Sequence, residues 1–394
     1  MVAGRPTAYE AELEQIDREI SALRGSALTD PIDTEEATRL AYRLYQRASL
    51  TGELAELSVV EAAIDDAIRE IGRWPDLCLL KANLDFKLHR LPDVRRDLAM
   101  APGLADGFHG KALKADLALQ EGRYEEALEG YEDVIREDRT WDNLARLAYL
   151  KAKMGDVAGA ERLHIEAEDE ITAKEMRSYA WMELQRGSLD LAHGAYEAAW
   201  AHYQRAGQAY SGYWLIDEHL AELLGAQGRF DEAVSLYEDV IQRAPRPELQ
   251  QSLGELLMLM GEPDEAQPWH DRALAAYLES TRRGDVHYFH HLADFYCDVR
   301  VDGAEAVRWA QKDLELRQNF STQAALAWAL YRDGRFAEAL DPMRQALASG
   351  VTDARLFSKA AIVHLAAGEA SEGERLSRRA AEIDPRHQDF RVHR

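Results

Sequence analysis

Five side chains within residues 287–297 have the chemistry to hold a metal ion: His287, His290, His291, Asp294 and Cys297. Imidazole, carboxylate and thiolate are the usual ligands of zinc-like ions. On a helix, residues four apart share a face, so His287 pairs with His291 and His290 with Asp294. The two pairs point in different directions, and no second segment visibly supplies the missing ligands. Packing and groove lining, with Asp294 hydrogen-bonded to His290, is the fuller account. A metal-binding protein built on this cluster is the sharper alternative; no cofactor is expected. No Gly-x-Ser-x-Gly, Walker-type or dinucleotide-binding glycine pattern occurs in the strand context that such motifs require. The chain is therefore expected not to be an enzyme. Its two cysteines, Cys78 and Cys297, are too few for a disulfide framework or a four-thiolate zinc site.

The 394 residues carry 47 Lys and Arg against 71 Asp and Glu, a formal net charge of −24. Phosphate backbones and anionic lipid surfaces both need neutralising cations, so neither nucleic acid nor a membrane is an expected partner. Apolar residues make up 46% of the chain and prolines number 11, a composition that packs a core rather than staying disordered. No apolar run approaches the ~18 residues of a membrane-spanning helix; the richest is residues 256–260. The N-terminal residues lack a secretory pattern. A cytoplasmic location is expected, or a secreted or periplasmic one if a leader has been removed.

These residues need elements to position them, and the sequence supplies one that recurs. Gly122-Arg-Tyr-Glu-Glu-Ala127, Gly228-Arg-Phe-Asp-Glu-Ala233, Gly261-Glu-Pro-Asp-Glu-Ala266 and Gly334-Arg-Phe-Ala-Glu-Ala339 are copies of one phrase. Aligned on the final small residue, the series runs Val94, Ala127, Ala160, Ala199, Ala233, Ala266, Ala306, Ala339 and Gly373, with gaps of 33, 33, 39, 34, 33, 40, 33 and 34. A glycine ending one helix, an acidic pair opening the next, and a small residue at the crossing describe a helical hairpin. The facing column, twelve residues upstream, is also small: Ala82, Ala115, Ala148, Gly187, Ala221, Gly254, Ala327 and Ala361, with Asp294 the exception. Seven residues past the anchor come Ala101, Val134, Ala167, Ala206, Val240, Ala273, Ala346 and Ala380, broken only by Asp313.

With small residues in these three columns, Gly before the second helix, an aromatic at Tyr124, Tyr196, Phe230 and Phe336, and Pro245 and Pro385 closing two units, the chain resembles the tetratricopeptide repeat family. The usual Trp of position 4 is missing throughout. The resemblance implies an all-α, right-handed superhelical solenoid of about nine to ten helix-turn-helix units, of which nine or ten make roughly one superhelical turn. Each unit should touch only its neighbours, keeping Cys78 and Cys297 apart as reduced, packed thiols. It further implies that certain first-helix positions line a concave partner-binding face. Those positions hold Asp76, Asp116, Asp142, Glu218, Glu222, Glu248, Glu255 and Asp298 against the single cation Arg355, which suits a basic ligand; a neighbouring position adds Lys87, Lys153 and Arg332. Tyr288, His291, Phe295, Trp328 and Tyr331 form an aromatic patch at inner positions of the seventh and eighth repeats, with Trp181 a second, isolated aromatic. The Lys and Asn pairing by which some members hold a peptide carboxylate is absent, since Asn83 is accompanied by Leu79.

Residues 75–394 thus form the expected repeat superhelix, and 1–74 an N-terminal helical cap with a degenerate repeat anchored near Ala63. Tyr9, Leu13, Ile16, Ile20 and Leu23 form a narrow apolar stripe that either caps the solenoid or pairs with a second copy in a homodimer. Asp30-Pro31 breaks the chain and Asp33 opens the next helix. The expected function is a non-enzymatic scaffold or adaptor gripping a protein or peptide, a basic one being suited to the acidic face, through Tyr288, His291, Phe295, Asp298, Trp328, Tyr331, Arg332, Glu218, Glu222 and Glu255. The alternative is a regulatory or accessory module binding a small ligand in the C-terminal aromatic pocket.

Overall fold

A computed structural model of the chain describes residues 5–26, 34–100 and 102–392. The Asp30-Pro31 break, the opening at Asp33 and the column residue Ala101 lie outside the described residues. Among the described residues all regular structure is helical, in 22 α-helices and one π-helical turn, and none of these helices is long and apolar enough to cross a membrane.

From residue 75 the helices pair as antiparallel hairpins in chain order. Repeats 1 to 3 are Pro75–Lys87 with Leu91–Met100, Phe108–Gln120 with Tyr124–Glu137, and Trp141–Lys153 with Val157–Glu170. Repeats 4 to 6 are Met176–Ala192 with Tyr196–Ala209, Trp214–Ala226 with Phe230–Arg243, and Pro247–Met260 with Pro263–Arg282. Repeats 7 to 9 are Phe289–Asp294, continued by the π-turn Phe295–Val299, with Gly303–Leu316, then Phe320–Arg332 with Phe336–Ala348, and Ala354–Ala366 with Ala370–Ile383. The small columns lie where the paired helices cross: Ala127 and Ala233 are both fully buried, as are Ala82, Ala148, Ala221 and Ala327. The chain is a superhelical solenoid. The two long gaps in the series are absorbed by helix extension, to 17 residues in Met176–Ala192 and 20 in Pro263–Arg282.

The crossings tolerate no added volume. A Cβ on Gly187 would lie 2.3 Å from the ring of the fully buried Tyr203. Gly187→Ala should therefore destabilise the fold by about 1–3 kcal/mol through overpacking, despite its better helix propensity. Urea denaturation followed by circular dichroism checks this; an unchanged or raised midpoint would show that the fourth crossing is slack.

Ahead of the nine hairpins, Thr34–Thr51 pairs with Leu54–Ile71 across Gly52, and buried Leu57 stands where the small anchor stands elsewhere, while Ala63 is only partly buried. In the first repeat the turn glycine is replaced by His89, the only non-glycine among the described residues with a positive φ, 60°. Helix Ala8–Ser26 does not simply cover the open end of the first hairpin. Its start binds the end of the fourth repeat: Tyr9 N donates to Ser211 O at 3.1 Å, Tyr210 Oη donates to Glu12 at 2.6 Å, and Arg177 pairs with Glu12 at 3.0 Å.

That contact belongs to a general one. Asn319 donates to Gln120 at 3.2 Å, Phe320 N to Tyr124 Oη at 2.8 Å, Thr352 N to Lys153 O at 2.7 Å and Arg391 to Leu191 O at 3.2 Å. Repeat 2 thus meets repeat 8, and repeat 3 meets repeat 9. The superhelix completes a turn in about six repeats, not the nine or ten expected, and successive turns press together. The expectation that each unit touches only its neighbours is therefore corrected: nearest-neighbour contact holds within one turn, but a tight pitch adds a second neighbour once the chain passes that turn. The glycines record it, because a Cβ on Gly122 or Gly155 would fall 2.5 Å from Gln318 O or 2.8 Å from Thr352, whereas Gly334 and Gly368 have nothing within 4 Å. Cys78 and Cys297 are separate, buried, free thiols.

Candidate functional site

The first helices of the repeats face inward, and two adjoining cavities open among them. The smaller, about 390 Å³, has apolar walls from Leu119, Tyr149, Trp181, Leu189 and Ile383. The larger, about 530 Å³, runs on past Phe320 to Lys359 and Arg391. They share Leu119, Tyr149, Lys153, Gln185 and Asp353, so they form one continuous space inside the superhelix, between repeats 2–5 and repeats 7–9. Its two walls meet because repeats 8 and 9 come back against repeats 2 and 3.

Its polar groups are held in place by one another. Arg146 bridges Asp116, at 3.1 Å, and Asp142, while Tyr131 Oη donates to Asp116 at 2.8 Å. Lys153 pairs with Asp353 at 3.6 Å and stays cationic, because Tyr149 and Asp353 outweigh the burial that lowers its pKa. His164, buried in the wall, has an unsatisfied Nδ1, and burial pulls its pKa down to about 4, so the ring is neutral at pH 7. Tyr131 and His164 occupy one position, four residues after the small anchor of the second helix. The sequence reading missed them, although a polar-tipped ring repeating at that offset is visible in Tyr131, His164, Tyr203, Tyr237 and His270.

The residues nominated from sequence fall into separate settings. Tyr288, His291 and Phe295 gather around the fully buried Tyr277, with ring centroids 4.8, 5.6 and 6.4 Å away. Phe295 is 2% exposed and Tyr288 5%. Trp328 stacks on Tyr331 at 4.8 Å and its indole N–H donates to Asp298 at 3.0 Å, while Arg332 Nε donates to Cys297 O at 2.7 Å. Their expected presentation as an open aromatic patch is corrected: their faces are used to pack the seventh and eighth repeats, and none of them lines either cavity. Trp181 does line one, with Trp141 edge-on at 6.0 Å.

The acidic inner face is likewise internally occupied. Glu248 pairs with Arg246 at 2.7 Å, and its carboxyl sits near pKa 2 because Arg246 and His291 outweigh burial. Glu218 lies 2.9 Å from His219, Glu255 accepts from Gln251 at 2.7 Å, and Glu222 accepts from Val392 N at 2.7 Å. The larger cavity is lined by Lys153, Arg317, Arg355, Lys359 and Arg391 together with Glu222, Asp294, Asp353 and Asp384. The excess of carboxylate expected for a basic ligand is thus not what that cavity presents.

The irregular seventh repeat has a physical reason. Asp313, in a column that elsewhere holds Ala or Val, is 1% exposed and takes 2.8 Å hydrogen bonds from Arg317, with His290 Nδ1 at 3.2 Å. His290 Nε2 faces Asp294 at 3.5 Å, and Lys359 reaches Asp294 at 3.8 Å. His287 points elsewhere and stacks on His89 of the first repeat at 5.0 Å. Among the described residues no three His, Cys, Asp or Glu side chains are grouped to hold a metal ion. The cluster is an ion-pair network.

Models of the tetratricopeptide repeat match residues 218–244, 249–284 and 321–350. Among solved structures, the chain is similar over 94% of its length to 94% of a chain of the human IFIT1 dimer with PPP-AAAA, at 13% identity and a TM-score of 0.48. It is similar over 96% of its length to 80% of a chain of the APC/C hetero-tetramer Cut9-Hcn1, at 16% identity and a TM-score of 0.46. MamA is matched over 96% of its own chain and 43% of this one, at 21% identity and a TM-score of 0.34. No curated protein sequence matches.

Proposed function

This chain is a tetratricopeptide-repeat protein, and from that premise we propose that it is a non-enzymatic scaffold that holds an extended peptide segment of a partner protein inside its superhelix. Repeats of this kind mediate protein–protein contact. The observation that carries the proposal is the continuous inner space whose apolar wall includes Tyr149, 45% exposed, beside Trp181 and Phe320. Exposed aromatic rings on a rigid wall, with polar groups already oriented around them, are what anchors a peptide at low entropic cost. An elongated space suits an extended chain better than a compact ligand. The anchors expected of the partner are apolar or aromatic side chains, since the charges of the wall are matched within it.

The test is selection of peptides from a displayed random library on the folded protein, followed by affinity measurement on the selected sequences. Tyr149→Ala and Trp181→Ala should each weaken binding roughly tenfold to thirtyfold, the size of a hot-spot truncation. Phe336→Ala, an exposed position away from both cavities, should leave it unchanged. Selected peptides indifferent to both lumen substitutions would place the binding face elsewhere.

A further inference from the structure

We propose that residues 384–392 are a built-in occupant of the inner face of repeats 4 and 5, and that the partner peptide carries the same acidic–aromatic–basic order, displacing this segment as it binds. The inference rests on the peptide-binding reading above and adds to it where the peptide lies and what it looks like.

The segment follows helix Ala370–Ile383 and is irregular, so its backbone makes no helix of its own. It crosses from the ninth repeat to the inner faces of the fourth and fifth, and its contacts there are those of a bound peptide. Val392 N donates to the Glu222 carboxylate at 2.7 Å. Phe390 sits where a Cβ on Gly225 would come within 2.5 Å of its ring, a seat that exists only because residue 225 is glycine. Arg391 donates to Leu191 O at 3.2 Å and to Tyr196 Oη at 3.0 Å, and its guanidinium lies 5.1 Å from the centre of the Tyr196 ring. Tyr196 Oη in turn donates to Asp389 at 2.6 Å. Three consecutive side chains, Asp389-Phe390-Arg391, are therefore received by this face, the first and third both through Tyr196, and Val392 adds its backbone N–H.

Two further features distinguish this from ordinary chain packing. Asp384, His387 and Arg391 line the larger cavity, so the segment extends the same inner space that Tyr149 opens onto. The receptor side also consists of the first-helix residues Leu191, Glu222 and Gly225 of repeats 4 and 5, with Tyr196 at the opening of the second helix of repeat 4. A tethered occupant competes at high effective concentration, so a free peptide sees only the fraction of molecules in which the segment has lifted away.

A fluorescein-labelled synthetic peptide with the sequence of residues 384–392 is the probe, and anisotropy with the full chain is the readout. Phe390→Ala/Arg391→Ala should empty the face and bind the peptide at least tenfold more tightly than the unaltered protein. Adding Gly225→Ala to that variant should fill the aromatic seat and return the affinity to the unaltered level or below. If the double variant fails to fold by circular dichroism, Phe390→Ala alone should give at least a threefold gain. Equal affinity before and after loosening, no saturable binding by the loosened protein, or indifference to Gly225→Ala overturns the proposal. Failure here is separable from failure of the lumen reading, which is judged by the selected peptides and the Tyr149 and Trp181 substitutions. Those results stand whatever the tail does.

Discussion

Replacing Arg317 by Met should cost about 3–5 kcal/mol of folding free energy, because it strands a buried carboxylate without its cation. Asp313 is the carboxylate. Burial raises its pKa, and the His290 hydrogen bond and the Arg317 charge more than reverse this, to about 2, so the group is ionised at pH 7. A native-like alternative already exists in the same chain: the equivalent positions hold Ala167, Ala206, Ala273, Ala346 and Ala380, none of them followed four residues later by an arginine, and all are fully buried without charge. Asp313→Ala/Arg317→Met should therefore recover most of the loss, since replacing both members of a buried ion pair by apolar groups is often neutral. Urea titration followed by tryptophan fluorescence compares the three proteins, with Trp309 and Trp328 reporting on the affected repeats. A double variant no better than Arg317→Met would mean that the arginine acts through something other than Asp313. Arg317, His290 and Asp294 also line the larger cavity. The network thus ties that part of the wall together.

Acidification from pH 7.5 to 4.5 should destabilise the fold and loosen the contact between successive turns. His89 and His287 stack across that contact at 5.0 Å. Burial holds His89 well below the ordinary imidazole range, with Arg317 and His287 adding to the effect. Burial likewise brings His287 to about 4, against the opposing pull of Glu248, and His164 to about 4. A histidine whose folded pKa lies below its unfolded value of about 6.5 stabilises fully above 6.5. That stability is lost as pH falls towards 4, because the unfolded chain takes up the proton first. For His164 and His287 the loss is on the order of 3 kcal/mol each. Asp85 opposes it: burial raises that carboxyl to about 6, so its ionisation penalty is relieved on acidification, offsetting roughly one histidine. Asp313 and Glu248, both near 2, keep their charges across this range. The net direction is loss between pH 6.5 and 4.5. Denaturation midpoints at the two pH values, with hydrogen exchange at residues 88–90 and 286–288, measure it. His89→Gly, which removes the ring and relieves the positive φ, should flatten the dependence. A midpoint that is unchanged or higher at pH 4.5 would refute the balance.

The hairpins were legible without coordinates because everything that makes one lies within about 34 residues: the turn glycine, the acidic opening of the second helix and the small residues at the crossing. Even the two longer units were visible as gaps of 39 and 40. The site was not legible in the same way. Counting acids at inner positions gave the composition of the face but not its occupancy, since Glu222 is engaged by Val392 and Asp116 by Arg146, partners 170 and 30 residues away. The aromatic positions likewise gave the wrong exposure: Tyr277 from the extended second helix of repeat 6 packs on Tyr288, His291 and Phe295 of the seventh repeat, while Trp328 of the eighth is taken up by Tyr331 and Asp298.

By itself, the sequence determined a chain of paired helices with close crossings, the family they resemble and the inward positions of their first helices. Tertiary structure alone decided that a turn closes in about six repeats, that His89 meets His287 and Lys153 meets Thr352, and that a cavity lies between turns. The reason is cumulative: pitch is the sum of small rotations at every repeat interface, and no window the size of one repeat contains it.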